Sequence, residues 1–225
     1  MVKVAFPLNI NSDHVTCEIP CGTIARTTKP QTAAEKAKWE GSTLNWLDLT
    51  MNNGEYGVSI LNDCKYGYDA KPNQLRLTLL RSPVWPDPQS DRGVHHFTYA
   101  IYPHNHGWQS AKTVQKAYEL NTPLQTVLLN SNNLNHQASN QLSPRSEFLN
   151  LSADNLILMA LKLSKNQELI MRCYESQGEA SNLIVKSDFN LQQNSLLDCL
   201  ENSSNKATEE ITKIEPYKIV TLRLK

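Results

Sequence analysis

Residues able to do chemistry crowd into one stretch, Asn62 to His106. It begins Asn62-Asp63-Cys64-Lys65-Tyr66-Gly67-Tyr68, passes through Arg81, Pro86-Asp87-Pro88 and Asp91-Arg92-Gly93, and ends with His95-His96-Phe97-Thr98-Tyr99 and Tyr102-Pro103-His104. Metal binding is one chemistry open to it. Zinc needs three or four ligands at about 2.0–2.3 Å from one point. His95 and His96 are neighbours in an extended run and face opposite ways, so they cannot share an ion. His104 and His106 could, with Asp87 or Asp91, but their spacing is not specific, and hydrogen-bonded loop histidines are the simpler reading.

Sugar chemistry is a second option. An epimerase or mutarotase needs a histidine acid and a carboxylate base flanking the anomeric carbon. His95 or His104 with Glu175 or Glu119 would supply the types, yet nothing in the spacing selects them. Sugar binding without catalysis asks for less. Trp85, Trp108, Tyr66, Tyr68 and Tyr102 offer flat amphipathic faces, and Arg81, Arg92, Asp63, Asp87 and Asp91 can read hydroxyls. The competing account makes the aromatics core and the charges a surface network. Arg81 follows the apolar run Leu75–Leu80 and precedes Pro83, so it stands where a loop leaves a strand, a common place for binding residues. A salt bridge to Asp63, Asp87 or Asp91 would explain it equally well.

The elements that must position these residues read as strands. Short apolar or alternating runs occur at Val2–Phe6, Val15–Ile19, Trp46–Leu49, Tyr56–Leu61, Leu75–Leu80, His95–Tyr102, Leu156–Leu163, Leu169–Tyr174, Leu183–Lys186 and Ile219–Leu224. Turn residues such as Asn52-Asn53-Gly54 and Lys71-Pro72-Asn73 bound them. Only Thr32–Trp39 and Ala111–Leu120 suggest helix. Strands at this spacing predict an antiparallel sandwich or barrel. A segment rich in Asn, Gln and Ser, residues 130–146, can bury little apolar surface and is expected to be a surface loop. It separates a main sandwich part, 1–129, from residues 147–225, which complete that sandwich or form a small second one. Another polar stretch, Glu201–Glu210, divides the last strands.

The chain has 225 residues, with 22 Lys plus Arg against 22 Asp plus Glu. That balance gives no field to gather nucleic acid or an anionic membrane, and neither partner is expected. No apolar run approaches the ~20 residues that span a bilayer. The N-terminus lacks the apolar run of a signal peptide and opens directly as a strand, as expected of a piece of a longer chain. Five scattered cysteines predict reduced thiols and a cytoplasmic setting. Cys17 and Cys21, four residues apart on a strand, would lie about 13 Å apart, too far for a disulfide. The sequons at Asn150 and Asn202 matter only in a secreted chain.

Taken in order, these segments resemble the C-terminal region of glycoside hydrolase family 38 α-mannosidases, in particular the bacterial and cytosolic type. The likeness runs from Lys3-Val4-Ala5-Phe6-Pro7-Leu8 through Glu18-Ile19-Pro20-Cys21-Gly22 with Arg26, Trp46-Leu47-Asp48-Leu49 and Tyr56-Gly57-Val58. Its most specific part is Leu61–Tyr68, followed by Leu77–Pro83, Pro86-Asp87-Pro88, Asp91-Arg92-Gly93 and His96-Phe97-Thr98-Tyr99. It continues in Leu120-Asn121-Thr122-Pro123-Leu124, Met171-Arg172-Cys173-Tyr174-Glu175 and Thr221-Leu222-Arg223-Leu224.

The resemblance implies an all-β, galactose-mutarotase-like super-sandwich of antiparallel sheets with few short helices. It implies a parent enzyme that cleaves terminal α-mannosides with retention, through an aspartate nucleophile and a second carboxyl group. The nucleophile and the zinc ligands of the family belong to an N-terminal barrel, and neither motif has a counterpart here. No catalytic or metal residue is therefore expected in this chain, and zinc is expected in the full-length enzyme. The implied partners are that catalytic domain and an α-mannoside oligosaccharide. Arg81, in Leu79-Leu80-Arg81-Ser82-Pro83, is the foremost candidate for a contact at the active-site rim. Asp63, Lys65, Tyr66, Asp87 and His96 are further candidates that hold the loops presenting it. A stand-alone carbohydrate-binding module and a mutarotase-like epimerase are the alternatives.

Overall fold

The structure, a computed structural model, describes residues 1–128, 145–207 and 212–225. The loop expected at 130–146 lies almost wholly outside the described residues, as does the end of the Glu201–Glu210 stretch. The chain divides into two compact units, Met1–Asn121 with Ser176–Glu179, and Thr122–Glu175 with Ala180–Lys225.

In the first unit, two antiparallel sheets face each other. One has the order β1 (Val2–Pro7), β8 (Gln74–Leu80), β7 (Gly67–Lys71), β4 (Glu40–Ser42). The other has the order β3 (Gly22–Thr27), β2 (His14–Ile19), β5 (Trp46–Thr50), β6 (Tyr56–Asn62), β9 (Tyr99–Asn105). Side chains alternate along each strand, so Phe6, Tyr68, Leu75 and Leu77 of the first sheet meet Val15, Leu47, Leu49, Val58 and Ile60 of the second in one core. The outer face of β5 and β6 is also covered. Helix α2 (Thr113–Asn121) buries Thr113, Val114 and Ala117 there, and Trp46 packs on Trp108 at a centroid distance of 5.0 Å. That double burial explains why Trp46-Leu47-Asp48-Leu49 is hidden throughout.

Turn chemistry sets the registers. β7 and β8 are joined by Pro72-Asn73, with Lys71 paired to Gln74. β2 and β3 are joined by Pro20-Cys21, where the proline presets its own φ and Cys21 turns the chain at φ 57°. The short helix α1 (Ala33–Ala37) starts with a capping box: Thr32 accepts the Glu35 N–H, and the Glu35 carboxylate accepts the Thr32 N–H. Its five residues are fewer than the Thr32–Trp39 run suggests.

The second unit contains a five-stranded antiparallel sheet, β11 (Leu156–Leu163), β12 (Leu169–Glu175), β18 (Ile219–Leu224), β15 (Gln193–Leu197), β16 (Ser203–Ala207). Two small ladders accompany it, β10 (Asn150–Leu151) with β14 (Val185–Lys186), and β13 (Ser181–Leu183) with β17 (Thr212–Ile214). Met171, Cys173, Leu222 and Leu224 of the sheet share a core with Leu183 and Ile214 of the second ladder. Antiparallel sheets with only two short helices among the described residues match the expected fold class.

One strand begins later than its alternation suggested. β9 starts at Tyr99, not His95, because its partner β6 ends at Asn62, opposite Tyr99. One further bond, Asp63 N–H to the Thr98 carbonyl (3.1 Å), closes the ladder, and among the described residues no strand pairs with residues 95–98.

Candidate functional site

Between the end of β8 and the start of β9 the chain makes an irregular loop, 81–98, that carries three of the candidate residues: Arg81, Asp87 and His96. Its two limbs are tied at the base. The Asp91 carboxylate accepts the backbone N–H groups of both Arg81 (3.0 Å) and Ser82 (2.6 Å), while Ser82 adopts φ 50°. The salt bridge considered for Arg81 is replaced by a hydrogen bond from its backbone N–H to Asp91. The Arg81 side chain is exposed, and among the described residues no carboxylate pairs with its guanidinium. His95 Nε2 bonds the Asp91 carbonyl (2.9 Å), adding a second tie.

The other candidates take up different positions around the loop. Asp63 accepts the Thr98 N–H (2.8 Å) at the loop's far end. Burial would raise its pKa, but hydrogen bonds from Cys64 and Thr98 outweigh that and hold the carboxyl below the usual carboxylate range. Lys65 places its ammonium 4.7 Å from the centre of the Phe97 ring. Asp87 accepts the Gln89 N–H (2.8 Å), turning the loop at its tip. Tyr66 and His96 are exposed. Asp63, Lys65 and Asp87 thus support the loop, whereas Arg81, Tyr66 and His96 present their side chains outward. Val84, Trp85 and Val94 are 84–86% exposed, an unusual concentration of bare apolar surface on one loop.

Several residue sets proposed from the sequence do not assemble. Trp108 and Tyr68 are buried, and the Tyr102 hydroxyl donates to the Ala111 carbonyl (2.9 Å), so only Trp85 and Tyr66 of the five aromatics are available as sugar platforms. His104 and His106 do not converge as metal ligands. His104 is buried beneath α2, where Nε2 meets Asp48 Oδ2 (2.8 Å) and Nδ1 meets the His106 carbonyl (3.1 Å). Among the described residues no three His, Cys, Asp or Glu side chains gather as a metal cage. Glu119 is exposed and paired with Lys116 (2.7 Å), and Glu175 is fully buried, accepting from Asn155 Nδ2 (2.9 Å) and the Tyr217 N–H (2.9 Å). Among the described residues, no hydrogen bond or ion pair joins Glu119 to His95 or His104.

The His104 cluster is a functional-looking constellation that the sequence reading missed. Asp48 accepts from Thr50 Oγ1 (2.5 Å), Ser59 Oγ (2.8 Å) and His104, and Ser59 reaches Thr113 Oγ1 (2.9 Å) on α2. Gly57 makes the imidazole fit, because a Cβ there would lie 2.4 Å from His104 Cε1. Serine, histidine and aspartate meet here, but Ser59 and Asp48 approach the same ring nitrogen and the group is sealed from solvent, so it is a buried polar network and not a nucleophile site. The signal available was an aspartate inside the apolar run Trp46-Leu47-Asp48-Leu49.

Comparison with known proteins fits this architecture. Residues 1–89 match the profile of the glycosyl hydrolases family 38 C-terminal domain, and residues 155–222 match that of the family 38 C-terminal beta sandwich domain. An alpha-mannosidase of Saccharomyces cerevisiae is 33% identical over 253 aligned positions, covering 99% of this chain, and alpha-mannosidase 2C1 of Mus musculus is 34% identical over 206, covering 89%. The crystal structure of an alpha-mannosidase from Enterococcus faecalis V583 superposes on 98% of the chain with a TM-score of 0.79 at 17% identity, a likeness of fold. The chain belongs to glycoside hydrolase family 38, as the C-terminal region of its α-mannosidases. It spans about a fifth of the length of those curated relatives, 22% and 19%, and a quarter (25%) of the solved one.

Proposed function

We propose that this chain serves an α-mannosidase as a non-catalytic part, shaping the rim of an active site whose nucleophile and metal belong to a catalytic barrel outside it. The observation that carries the reading is the 81–98 loop. An arginine with no carboxylate partner among the described residues is held at a strand end by the Asp91 tie, on a loop that also bears Val84, Trp85 and Val94. Exposed apolar side chains of this kind suit packing against another domain, and an outward guanidinium suits sugar hydroxyls. In this reading the parent enzyme hydrolyses terminal α-mannosides with retention, its barrel binds zinc, and it works in the cytoplasm. The reduced-thiol reading of five scattered cysteines supports that location.

The test is an Arg81→Ala substitution in the full-length enzyme. Loss of one sugar hydrogen bond predicts a KM for an α-mannoside about three- to tenfold higher, with zinc content unchanged. Unaltered KM and kcat would remove Arg81 from the rim. Calorimetry on the 225-residue chain with mannose and mannobiose addresses the binding-module alternative, which requires saturable binding without any barrel.

A further inference from the structure

The open side of the first sandwich, where edge strands β3 and β4 face each other, holds a cavity of about 390 Å³ bordered by Arg26, Trp39, Gly41, Tyr68 and Arg76. A second cavity of about 550 Å³ shares Arg26, Glu35, Lys38 and Gly41 with it, so the two form one groove along α1. These sizes suit a small organic ligand.

Charge in the groove is unequally committed. Glu35 is spent on the N-terminus of α1, accepting the N–H groups of Gln31 (2.8 Å) and Thr32 (3.0 Å). Asp69 is bonded by Lys3 (2.5 Å) and Arg76 (2.6 Å), and Glu40 also pairs with Lys3. The cations Arg26, Lys38 and Lys71 have no carboxylate partner among the described residues. Arg26 is nevertheless fixed and half-buried. Its Nη1 donates to the Tyr68 hydroxyl (3.4 Å), its guanidinium lies 6.0 Å from the Tyr68 ring centre, and it rests on Gly41, where a Cβ would lie 2.2 Å from Nη1. Burial, together with the hydrogen bond to Cys17, pushes the Tyr68 pKa above its ordinary value, so the hydroxyl stays neutral and offers Arg26 no countercharge. Trp39, 53% exposed, adds a flat aromatic wall whose ring centre also lies 4.7 Å from the Lys3 ammonium.

We propose that this groove binds a sugar-sized organic anion, a phosphorylated or carboxylated hexose, whose oxyanion Arg26 anchors. A planar guanidinium held half-desolvated, with no carboxylate paired to it among the described residues, favours a bidentate oxyanion over a neutral hydroxyl. Lys38 and Lys71 add positive charge at the mouth, and the hexose ring packs on Trp39. This site is separate from the 81–98 loop and independent of the role assigned to it.

NMR titration of the 225-residue chain with mannose 6-phosphate, glucuronate, mannose and inorganic phosphate tests it. At least one anionic sugar should shift the Arg26 Nε–H and Trp39 indole resonances saturably, and more tightly than mannose or phosphate. Arg26→Gln should weaken that ligand about tenfold or more. Lys38→Gln changes an exposed side chain and keeps the test readable should R26Q unfold; a loss of about threefold is expected. No saturable shift with either anionic sugar, phosphate binding as tightly as both, or unchanged affinity in the variants would overturn the proposal.

Discussion

His104 has an oxygen at each ring nitrogen, the Asp48 carboxylate at Nε2 and the His106 carbonyl at Nδ1. Burial lowers its pKa, but the hydrogen bond and charge of Asp48 outweigh burial and hold it above the ordinary imidazole value. A raised folded-state pKa stabilises fully below the unfolded value of about 6.5, and the contribution fades as pH rises through the folded value. Chemical unfolding should therefore show a stability that falls above about pH 6.5 in the wild type. His104→Gln should flatten that slope. Asp48→Ala removes the acceptor shared by Thr50, Ser59 and His104, and should cost about 1–3 kcal/mol by urea titration. Residue types alone made His104 a possible metal ligand or acid. What they could not reveal is the direction it faces, which depends on its pairing with Gly57 across β6 and β9. Arg81 was more legible because a strand end before a proline is a local signal.

At the scale of elements, apolar alternation located the longer core strands and missed short or polar ones, including β7 and β17, which still send Tyr68 and Ile214 into the cores. β11 and β18 fall where the sequence places them, whereas β3, β4, β7, β15, β16 and β17 lack a strong apolar face or are very short. β7 is instructive. The turn after it, Pro72-Asn73, was plain, but Gly67-Tyr68-Asp69-Ala70-Lys71 becomes a strand through its ladder to β8, a tertiary cause. His95–Thr98 failed for the converse reason, since alternation existed without a partner. The 81–98 loop depends on Asp91. Asp91→Ala removes the acceptor of two backbone donors and should speed amide exchange at Arg81 and Ser82 by tenfold or more, while leaving the β5–β6 amides unaffected. Uniform acceleration through the unit would mean that the tie supports the whole sandwich. Thr32→Ala, which removes the α1 cap, should cost about 1 kcal/mol or less, because α1 buries no side chain.

At the scale of the molecule, each compact unit has its own apolar core. The resemblance drawn from ordered motifs agrees with the two matched family regions, and the family was more legible than any single site because many weak segments in one order are jointly specific. The candidate residues were legible as a cluster and not as roles. Burial, which distinguishes Trp108 from Trp85 and His104 from His96, is a property of packing that spacing does not encode. The central proposal is that these residues assist α-mannoside cleavage without performing it. It is tested most directly by incubating the purified 225-residue chain, with zinc supplied, with an aryl α-mannoside at enzyme-like concentrations. The account predicts release of the aryl group at the buffer rate. Zinc-dependent turnover that survives repurification would contradict it.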